Sequence, residues 1–355
     1  MIVENQILYL LEEFKIPFKD PYCPNDWKDW YHYILYDPKT KVRFLYNICF
    51  NGKPETGYIT DTFFLTVPKG FIHGNISNPN IMETYGFARN TKWDKLDLNL
   101  FPFQYICKNI NFAIHHNVSK LDVSNKQSEI EFKLVGKTNS DPIYIPELAP
   151  FGKGFMGWGV IPDYKMAGII GIGNKRISVT DQWYGYHDRN FGRFNWGNIG
   201  WTWFVINTTD AKGASWTFVL HRSNNNDFSR IGSPILFIYN NKTLNKVFLG
   251  ATIDIQIKWS TSTELHPILP GAMASVFSDR TIKTPYQLIV RAKDEVDNIL
   301  IVMDTETQTE LIVPDNQTKN FTFLKELSGH ALIKQNLRKK AELFENAFFY
   351  AEYVH

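Results

Sequence analysis

Residues 181–203 read Asp-Gln-Trp-Tyr-Gly-Tyr-His-Asp-Arg-Asn-Phe-Gly-Arg-Phe-Asn-Trp-Gly-Asn-Ile-Gly-Trp-Thr-Trp. Eight of these 23 residues are aromatic, and His187 and Asp188 stand near the middle, flanked by Tyr186 and Arg189. A solvent-exposed loop rarely contains so many rings, and a plain core strand rarely contains His, Asp and Arg, because burying unpaired charge is costly. We interpret the stretch as a polar cluster set into an aromatic wall.

Strand-like segments lie on both sides of this stretch. Just upstream, Gly173-Asn174 is a two-residue turn signal between residues 165–172 and residues 176–182, which lead directly into the aromatic residues. Residues 27–49 alternate around a turn at Asp37-Pro38-Lys39-Thr40 and predict another hairpin. The other predicted strands are residues 58–67, 106–117, 128–135, 202–207, 215–222, 235–239, 247–259, 286–292 and 299–304.

The predicted strands are short and are separated by clusters of Gly, Pro, Asn and Asp, at a spacing of roughly 8–12 residues. We therefore expect an all-β chain of antiparallel barrels or sandwiches, with a short N-terminal helix. The C-terminus has two interpretations: residues 337–344 fit a helical turn or two, and residues 347–354 fit a closing strand. A chain of 355 residues commonly forms two domains, and we predict them as residues 1–195 and 196–355.

Charge and cysteine content narrow the possible functions. Lys and Arg total 38 against 36 Asp and Glu, so the net charge of +2 gives no reason to expect nucleic acid or an anionic membrane surface as a partner. Three cysteines without CxxC spacing argue against a disulfide framework and a zinc site. The sequence shows no signal-peptide pattern and no apolar run of ~20 residues. We expect a cytoplasmic protein without a metal or other cofactor; its oligomeric state is left open.

Two familiar motifs do not fit their usual chemistry. Gly152-Lys-Gly154-Phe-Met-Gly157 has the dinucleotide-binding spacing, but residues 158–162, Trp-Gly-Val-Ile-Pro, cannot open the helix that this chemistry requires. His115 and His116 are adjacent, so in a strand they point to opposite faces and cannot bind one metal together. The sequence has no GxSxG elbow, and no cysteine context marks a nucleophile.

The central polar cluster has a structural and a functional interpretation. In the structural one, Asp188 accepts hydrogen bonds from backbone amides or from Arg189, and the rings fill an ordinary core. In the functional one, the rings line a pocket, because β cores are usually filled with branched aliphatic side chains rather than with many tryptophans. The residues alone leave both interpretations open.

A family resemblance favours the functional interpretation. Residues 185–192, Gly-Tyr-His-Asp-Arg-Asn-Phe-Gly, resemble the Gly-Tyr-His-Asp-His-Asn-Trp-Gly signature of the carotenoid hydratase (hydroxyneurosporene synthase) and AttH-like family, which includes lipocalin-like Diels–Alderases. Gly157-Trp158-Gly159 and the segment Trp201-Thr-Trp203 agree with it, so the resemblance spans about residues 150–222. It implies two lipocalin-like β domains with a large apolar pocket.

The resemblance also implies site residues. Asp188 is the predicted proton donor, and Tyr186 and His187 are predicted to orient it or to relay its proton. Arg189 stands where the family has a second His, and it would hold Asp188 as a carboxylate if the two side chains met. The predicted substrate-binding residues are Trp158, Trp183, Tyr184, Arg189, Asn190, Phe191, Trp196, Trp201, Trp203, Trp216 and His221.

Three functions follow from these predictions. The first is a hydratase or cyclase, that is a lyase or an isomerase, in which Asp188 protonates an alkene of a small apolar isoprenoid or polyene and aromatic faces stabilise the cation. This role requires a carboxyl group that stays protonated near neutral pH. The second is a Diels–Alderase-like pericyclase on a polyene or polyketide, in which His187, Asp188 and Arg189 bind a carbonyl. The third is a non-catalytic carrier of a lipid or terpenoid, which needs the aromatic wall and not the aspartate.

Overall fold

The computed structural model describes all residues except 1–6, 9, 18, 21, 77, 93–96, 101–102, 108, 116, 152–153, 197–198, 226–229, 263–281, 316–319 and 355. The chain divides into two compact units, Met1–Phe194 and Asn195–His355. A short N-terminal helix includes residues 7–8 and 10–12, and a 3₁₀ turn spans Gly250–Thr252. The remaining named elements are strands, which confirms the all-β prediction. That the domains are residues 1–195 and 196–355 stays a prediction.

Two seven-stranded antiparallel sheets form the first unit. Its strands are β1 (Trp27–Tyr36), β2 (Arg43–Asn51), β3 (Tyr58–Pro68), β4 (Met82–Lys92), β5 (Asp97–Leu100), β6 (Phe103–Cys107), β7 (Ile110–His115), β8 (Val118–Asn125), β9 (Ile130–Thr138), β10 (Ile143–Phe151), β11 (Gly154–Ile161), β12 (Tyr164–Ile172), β13 (Lys175–Val179) and β14 (Tyr184–Arg193). Sheet A has the order β10-β11-β14-β1-β2-β3-β4, and sheet B has the order β13-β12-β9-β8-β7-β6-β5.

The hydrophobic core of the first unit takes side chains from both sheets. Alternate residues of β1 and β2 point into it, among them Tyr31 and Phe44. Tyr31 stacks on Phe103 of sheet B with ring centroids 5.7 Å apart, and Phe44 packs edge-on against Phe132 at 5.3 Å. Successive side chains of a strand point to opposite faces, so every second residue of sheet A points away from this core.

We call the surface of sheet A that points away from the core the Asp188 face. Cross-strand partners share a face, so the register of the strands defines its members. They include Trp158, Val160, Tyr186, Asp188, Asn190, Trp30, His32, Ile34, Leu45, Asn47, Cys49, Thr62 and Phe64. All of these except Asn190 are buried.

Two glycines of the signature are required by the packing of β14. A Cβ atom on Gly185 would lie 1.9 Å from the carbonyl oxygen of Tyr164, which is far inside van der Waals contact. Gly192 has a φ of +142°, a conformation that other residues rarely adopt, and a Cβ there would lie 2.2 Å from the carbonyl oxygen of Phe155. The glycines therefore allow β14 to approach its neighbours closely.

The second unit contains one nine-stranded antiparallel sheet, sheet C. Its strands are β15 (Gly200–Thr209), β16 (Ser215–Asn224), β17 (Ile235–Asn240), β18 (Thr243–Leu249), β19 (Ile253–Ser262), β20 (Ile282–Lys293), β21 (Asn298–Asp315), β22 (Asn320–Leu337) and β23 (Lys340–Val354). The order is β18-β17-β16-β15-β23-β22-β21-β20-β19. Phe248 of one edge strand and Ile253 of the other belong to the same core cluster, so the sheet curls around that core.

Most predicted strands are confirmed, and the differences have local causes. Residues 106–117 form two strands, because Cys107 pairs with Ile110 across a turn that has no Gly or Pro signal. Residues 247–259 are likewise interrupted by the 3₁₀ turn at Gly250, which has a φ of +58°. The helical interpretation of residues 337–344 is wrong. Arg338 and Lys339 have φ values of 51° and 64° and form a hairpin turn between β22 and β23.

Candidate active site

Asp188 is buried on β14, with 4% of its surface exposed. Its Oδ2 accepts one hydrogen bond from Trp158 Nε1 at 3.0 Å and another from Tyr186 Oη at 2.8 Å. Asn190 Nδ2 donates a longer bond, of 3.4 Å, to Oδ1. Two donors occupy the two lone pairs of Oδ2, so a protonated Asp188 would hold its hydrogen on Oδ1.

His32 lies directly opposite Asp188 in the register of β1 and β14. Paired residues of antiparallel strands share a face, with Cβ atoms roughly 4.5–5.5 Å apart. His32 is 2% exposed, and its ring lies edge-on to Tyr186 with centroids 6.5 Å apart. His32 was not among the site residues predicted from the sequence. The alternation of residues 27–36 assigns His32 to one face of a strand, but only the pairing with a distant strand identifies its neighbour.

His187 points into the core of the first unit, away from the Asp188 face. Its Nδ1 lies 2.9 Å from the carbonyl oxygen of His32, and since a carbonyl only accepts, Nδ1 donates and Nε2 has the lone pair. The imidazole stacks on Tyr33 with centroids 4.2 Å apart. Burial lowers the pKa of His187 to about 3, so the ring is neutral at pH 7. The structure therefore brings Tyr186, and not His187, to the Asp188 carboxyl.

A small cavity lies beside His187 on the core side. Its volume is about 20 Å³, which suffices for one ordered water molecule and not for an isoprenoid. The cavity is therefore much smaller than the apolar pocket that the resemblance implies. Its lining residues are Leu8, Leu11, Glu12, Tyr33, Ile114, Asn117, Ser119, Thr138, Ile161, Tyr164 and His187.

Arg189 also points into the core, where it forms a two-pronged ion pair with Asp29. Its Nε donates to Asp29 Oδ1 at 2.7 Å, its Nη2 donates to Oδ2, and its Nη1 donates to the carbonyl oxygen of Leu11 at 2.6 Å. Burial disfavours the charge of Arg189, but Asp29 and Tyr31 raise its pKa above the ordinary value. Arg189 thus ties the N-terminal helix to sheet A and does not hold Asp188 as a carboxylate.

His187, Asp188 and Arg189 consequently do not converge on one point, because strand alternation sends Asp188 to the opposite face from the other two. The remaining predicted residues of this stretch also separate. Phe191 stacks on Tyr144 with ring centroids 5.5 Å apart, and Tyr184 is half-buried at the start of β14. Trp183 belongs to the core of the first unit.

The predicted substrate-binding residues of the second unit are all buried, and all except Trp196, which precedes β15, lie on sheet C. Trp201 donates from Nε1 to Glu352 Oε2 at 2.7 Å, and Trp196 lies 6.2 Å from the Trp201 ring. Trp203 lies directly opposite His221 in the pairing of β15 with β16. Burial lowers the pKa of His221 to about 3.

Trp216 points to the other side of sheet C. It belongs to the hydrophobic core of the second unit, where it stacks on Phe218 with centroids 6.2 Å apart. Trp183 and Trp216 thus lie in the hydrophobic cores of their units, and a substrate-binding role for them stays a prediction.

Within the described ranges, no three His, Cys, Asp or Glu side chains gather where they could bind a metal ion. His116 and residues 152–153 lie outside the described residues, so the paired histidines and the glycine motif stay as the sequence leaves them. In the part of the chain that the structure describes, no helix has the length and apolar character needed to span a membrane.

Comparison with known proteins identifies the fold. No model of a protein family and no curated protein matches the chain. An AttH-like protein from Nitrosomonas europaea matches with a TM-score of 0.61 and 11% identity over 96% of each chain. Kievitone hydratase from Nectria haematococca matches with a TM-score of 0.57 and 10% identity over 97% of this chain and 94% of that one. The chain has a lipocalin-like fold.

A third lipocalin-like structure, CghA, is a Diels–Alderase. It matches with a TM-score of 0.54 and 9% identity over 92% of this chain and 88% of its own. The resemblance inferred from the signature at residues 185–192 is thereby confirmed for the fold. At such low identity a common fold does not assign a reaction, so the roles of individual residues must come from their own geometry.

Proposed function

We propose that this chain is a cofactor-independent hydratase or cyclase in which Asp188 protonates an alkene of an apolar, isoprenoid-like substrate. The observation that supports this role best is the pair of neutral donors, Trp158 and Tyr186, on one oxygen of a buried carboxyl group. They orient the group and direct its proton to Oδ1. The lipocalin-like fold shared with a hydratase and a Diels–Alderase is consistent with the proposal.

The first step is the transfer of a proton from the Asp188 carboxyl group to an alkene carbon of the substrate. The O–H bond at Oδ1 of Asp188 breaks, a C–H bond forms at one alkene carbon, and the other carbon becomes a tertiary cation. Trp158 and Trp30 lie on the same face of sheet A. A tryptophan ring face stabilises a nearby cation by roughly 0.5–2 kcal/mol. The negative charge left on Asp188 is stabilised by the hydrogen bonds to Oδ2.

The second step consumes the cation. In a hydratase, water forms a C–O bond to the cationic carbon and releases a proton to His32, which then returns it to Asp188 across the β1–β14 pair. In a cyclase, a second double bond of the substrate forms the new C–C bond, and His32 removes a proton from the resulting cation. Both routes restore the neutral carboxyl group without any redox partner.

Deuterium labelling tests this proposal. The protein is incubated in D₂O with geraniol, farnesol and squalene, and products are analysed by mass spectrometry. Asp188-dependent hydration or cyclisation places one deuterium on carbon in each product. Asp188→Asn should lower turnover by roughly 10²- to 10⁴-fold, the usual contribution of a general acid. Asp26→Asn is the matched control, since Asp26 is partly exposed and pairs with Arg193 in the same unit.

The other outcomes separate the alternatives. Binding of these compounds without any product in the wild type would favour a carrier. Product formation without deuterium on carbon, only partly slowed by Asp188→Asn, would favour a pericyclase. Undiminished turnover in Asp188→Asn would overturn the proposed role of this carboxyl group outright.

A further inference from the structure

The Asp188 face contains a row of polar side chains that runs across four neighbouring strands. The register places His32 opposite Asp188, Asn47 opposite His32, and Thr62 opposite Asn47. All four side chains are buried: His32 and Thr62 are each 2% exposed, Asp188 is 4% exposed and Asn47 is 5% exposed. Burying polar groups is unfavourable unless they find partners, so each member of this row requires a hydrogen-bond partner.

Asn47 shows that the row is incomplete in the chain itself. Among the described residues, no donor reaches its buried Oδ1. A buried acceptor without a donor costs the full desolvation of that group. A donor from a bound molecule would remove this cost.

An apolar row lies beside the polar one on the same face. Ile34 pairs with Leu45, and Leu45 pairs with Phe64. Each of these residues lies two positions along its strand from a member of the polar row. Ile34, Leu45 and Phe64 are 3%, 0% and 2% exposed. The two rows together suit a molecule with a hydrocarbon body and one hydroxyl group.

We propose that Asn47 and Thr62 form a subsite for a hydroxyl group of the substrate, so that the substrate is an unsaturated alcohol and not a plain hydrocarbon. The inference rests on the proposed function of Asp188, which fixes the position of the reacting alkene. Asn47 Oδ1 accepts the O–H hydrogen of the guest, and the Thr62 hydroxyl donates to the guest oxygen. Neighbouring strands lie ~4.8 Å apart, and Asn47 and Thr62 are two and three strands from Asp188, so the hydroxyl lies roughly 10–14 Å from the Asp188 carboxyl group.

A pair of probes that differ only in the hydroxyl group tests the subsite. Geraniol and 2,6-dimethylocta-2,6-diene have the same skeleton and double bonds, and binding of each is measured by quenching of tryptophan fluorescence. The wild type should bind geraniol roughly 3- to 10-fold more tightly, the usual share of one hydrogen bond. Asn47→Leu should abolish this preference and leave the affinity for the hydrocarbon within about twofold.

Two further variants control the experiment. Asn111→Leu changes an exposed asparagine of β7 and should keep the preference for geraniol. Thr62→Val is isosteric and should reduce the preference, so it reports on the same subsite if Asn47→Leu does not fold. Equal affinity for both probes in the wild type, no binding of either, or an unchanged preference in Asn47→Leu and Thr62→Val would overturn the proposal. An unchanged preference in both variants is expected if only water binds to the polar row.

Asp188→Asn distinguishes failure of the subsite from failure of the proposed function. If the subsite is correct, this variant keeps the preference for geraniol whether or not turnover is lost. If turnover depends on Asp188 but the probes bind alike, the proposed function stands and the subsite is wrong.

Discussion

Asp29 and Asp188 are buried carboxyl groups on the paired strands β1 and β14, and they are held in different ways. Asp29 points into the core and receives the guanidinium of Arg189 and the backbone N–H of Lys15. Asp188 points to the opposite face and receives an indole, a phenol and an amide. A cation fixes its partner as a carboxylate, whereas neutral donors can bond to either protonation state. The comparison separates a structural ion pair from a candidate acid.

Replacing Asp29 should have the largest effect on stability. Asp29→Asn leaves the buried Arg189 charge without its counter-ion, so we expect the free energy of unfolding to fall by about 3–5 kcal/mol. Urea denaturation monitored by tryptophan fluorescence measures this. The same change at Asp188 keeps the side-chain shape and an oxygen acceptor for the Trp158 and Tyr186 donors, so its cost should be ~1 kcal/mol or less. Equal destabilisation by the two substitutions would remove the distinction between the two carboxyl groups.

Acidification should lower the free energy of unfolding, because His187 is buried as a neutral ring on the core side of β14, the side that Asp29 also faces. The pKa of His187 is about 3 in the folded chain against 6.5 for an ordinary histidine, so between these pH values the unfolded chain binds a proton that the folded chain does not. The contribution of neutral His187 to the free energy of unfolding is therefore fully present above pH 6.5, and it is lost as the pH drops toward 3. Between pH 7.5 and pH 5, His187 should account for a loss of about 2 kcal/mol.

Two variants isolate this contribution. His187→Asn keeps a donor for the carbonyl oxygen of His32 and should flatten the pH dependence of the unfolding free energy by the share of one proton. His73→Asn, at an exposed position, should leave the slope unchanged. An unaltered slope in His187→Asn would mean that this imidazole does not resist protonation as its burial indicates.

Removing one donor from Asp188 should have the smallest effect on stability. Tyr186→Phe keeps the buried ring and deletes only the hydrogen bond of 2.8 Å to Oδ2, so the free energy of unfolding should fall by only about 0.5–1 kcal/mol. If the hydrogen bonds to Oδ2 orient a carboxyl group that protonates the substrate, the variant should lose more turnover than its small loss of stability accounts for. Equally small losses of turnover and of stability would mean that Tyr186 has only a structural role.

The strands were predictable where alternation and turn signals agree. The hairpin β1–β2 around Asp37-Pro38-Lys39-Thr40 and the Gly173-Asn174 turn between β12 and β13 both occur where the sequence predicts them. The break between β6 and β7 was not predictable, because no Gly or Pro marks it. The turn at Arg338 and Lys339 was missed for a related reason, since two basic residues give no signal for positive φ.

The candidate site was predictable only along one strand. The signature indicated Asp188 and Tyr186, and the lead-in to it indicated Trp158, all of which meet in the structure. His32 and Asn47 come from strands far away in sequence, and no local pattern links a lone His or Asn to a distant Asp. Their relation depends on register, which is a property of the paired strands and not of either segment.

The sequence by itself determined that the chain is built of short antiparallel strands, since period-two alternation is a local consequence of how side chains leave an extended backbone. It also indicated the signature strand and its aspartate. Only the tertiary structure decided which neighbours of that aspartate share its face. Strand alternation sends His187 and Arg189 into the core, while pairing with β1 brings His32 to Asp188, because register joins residues that are remote in the chain.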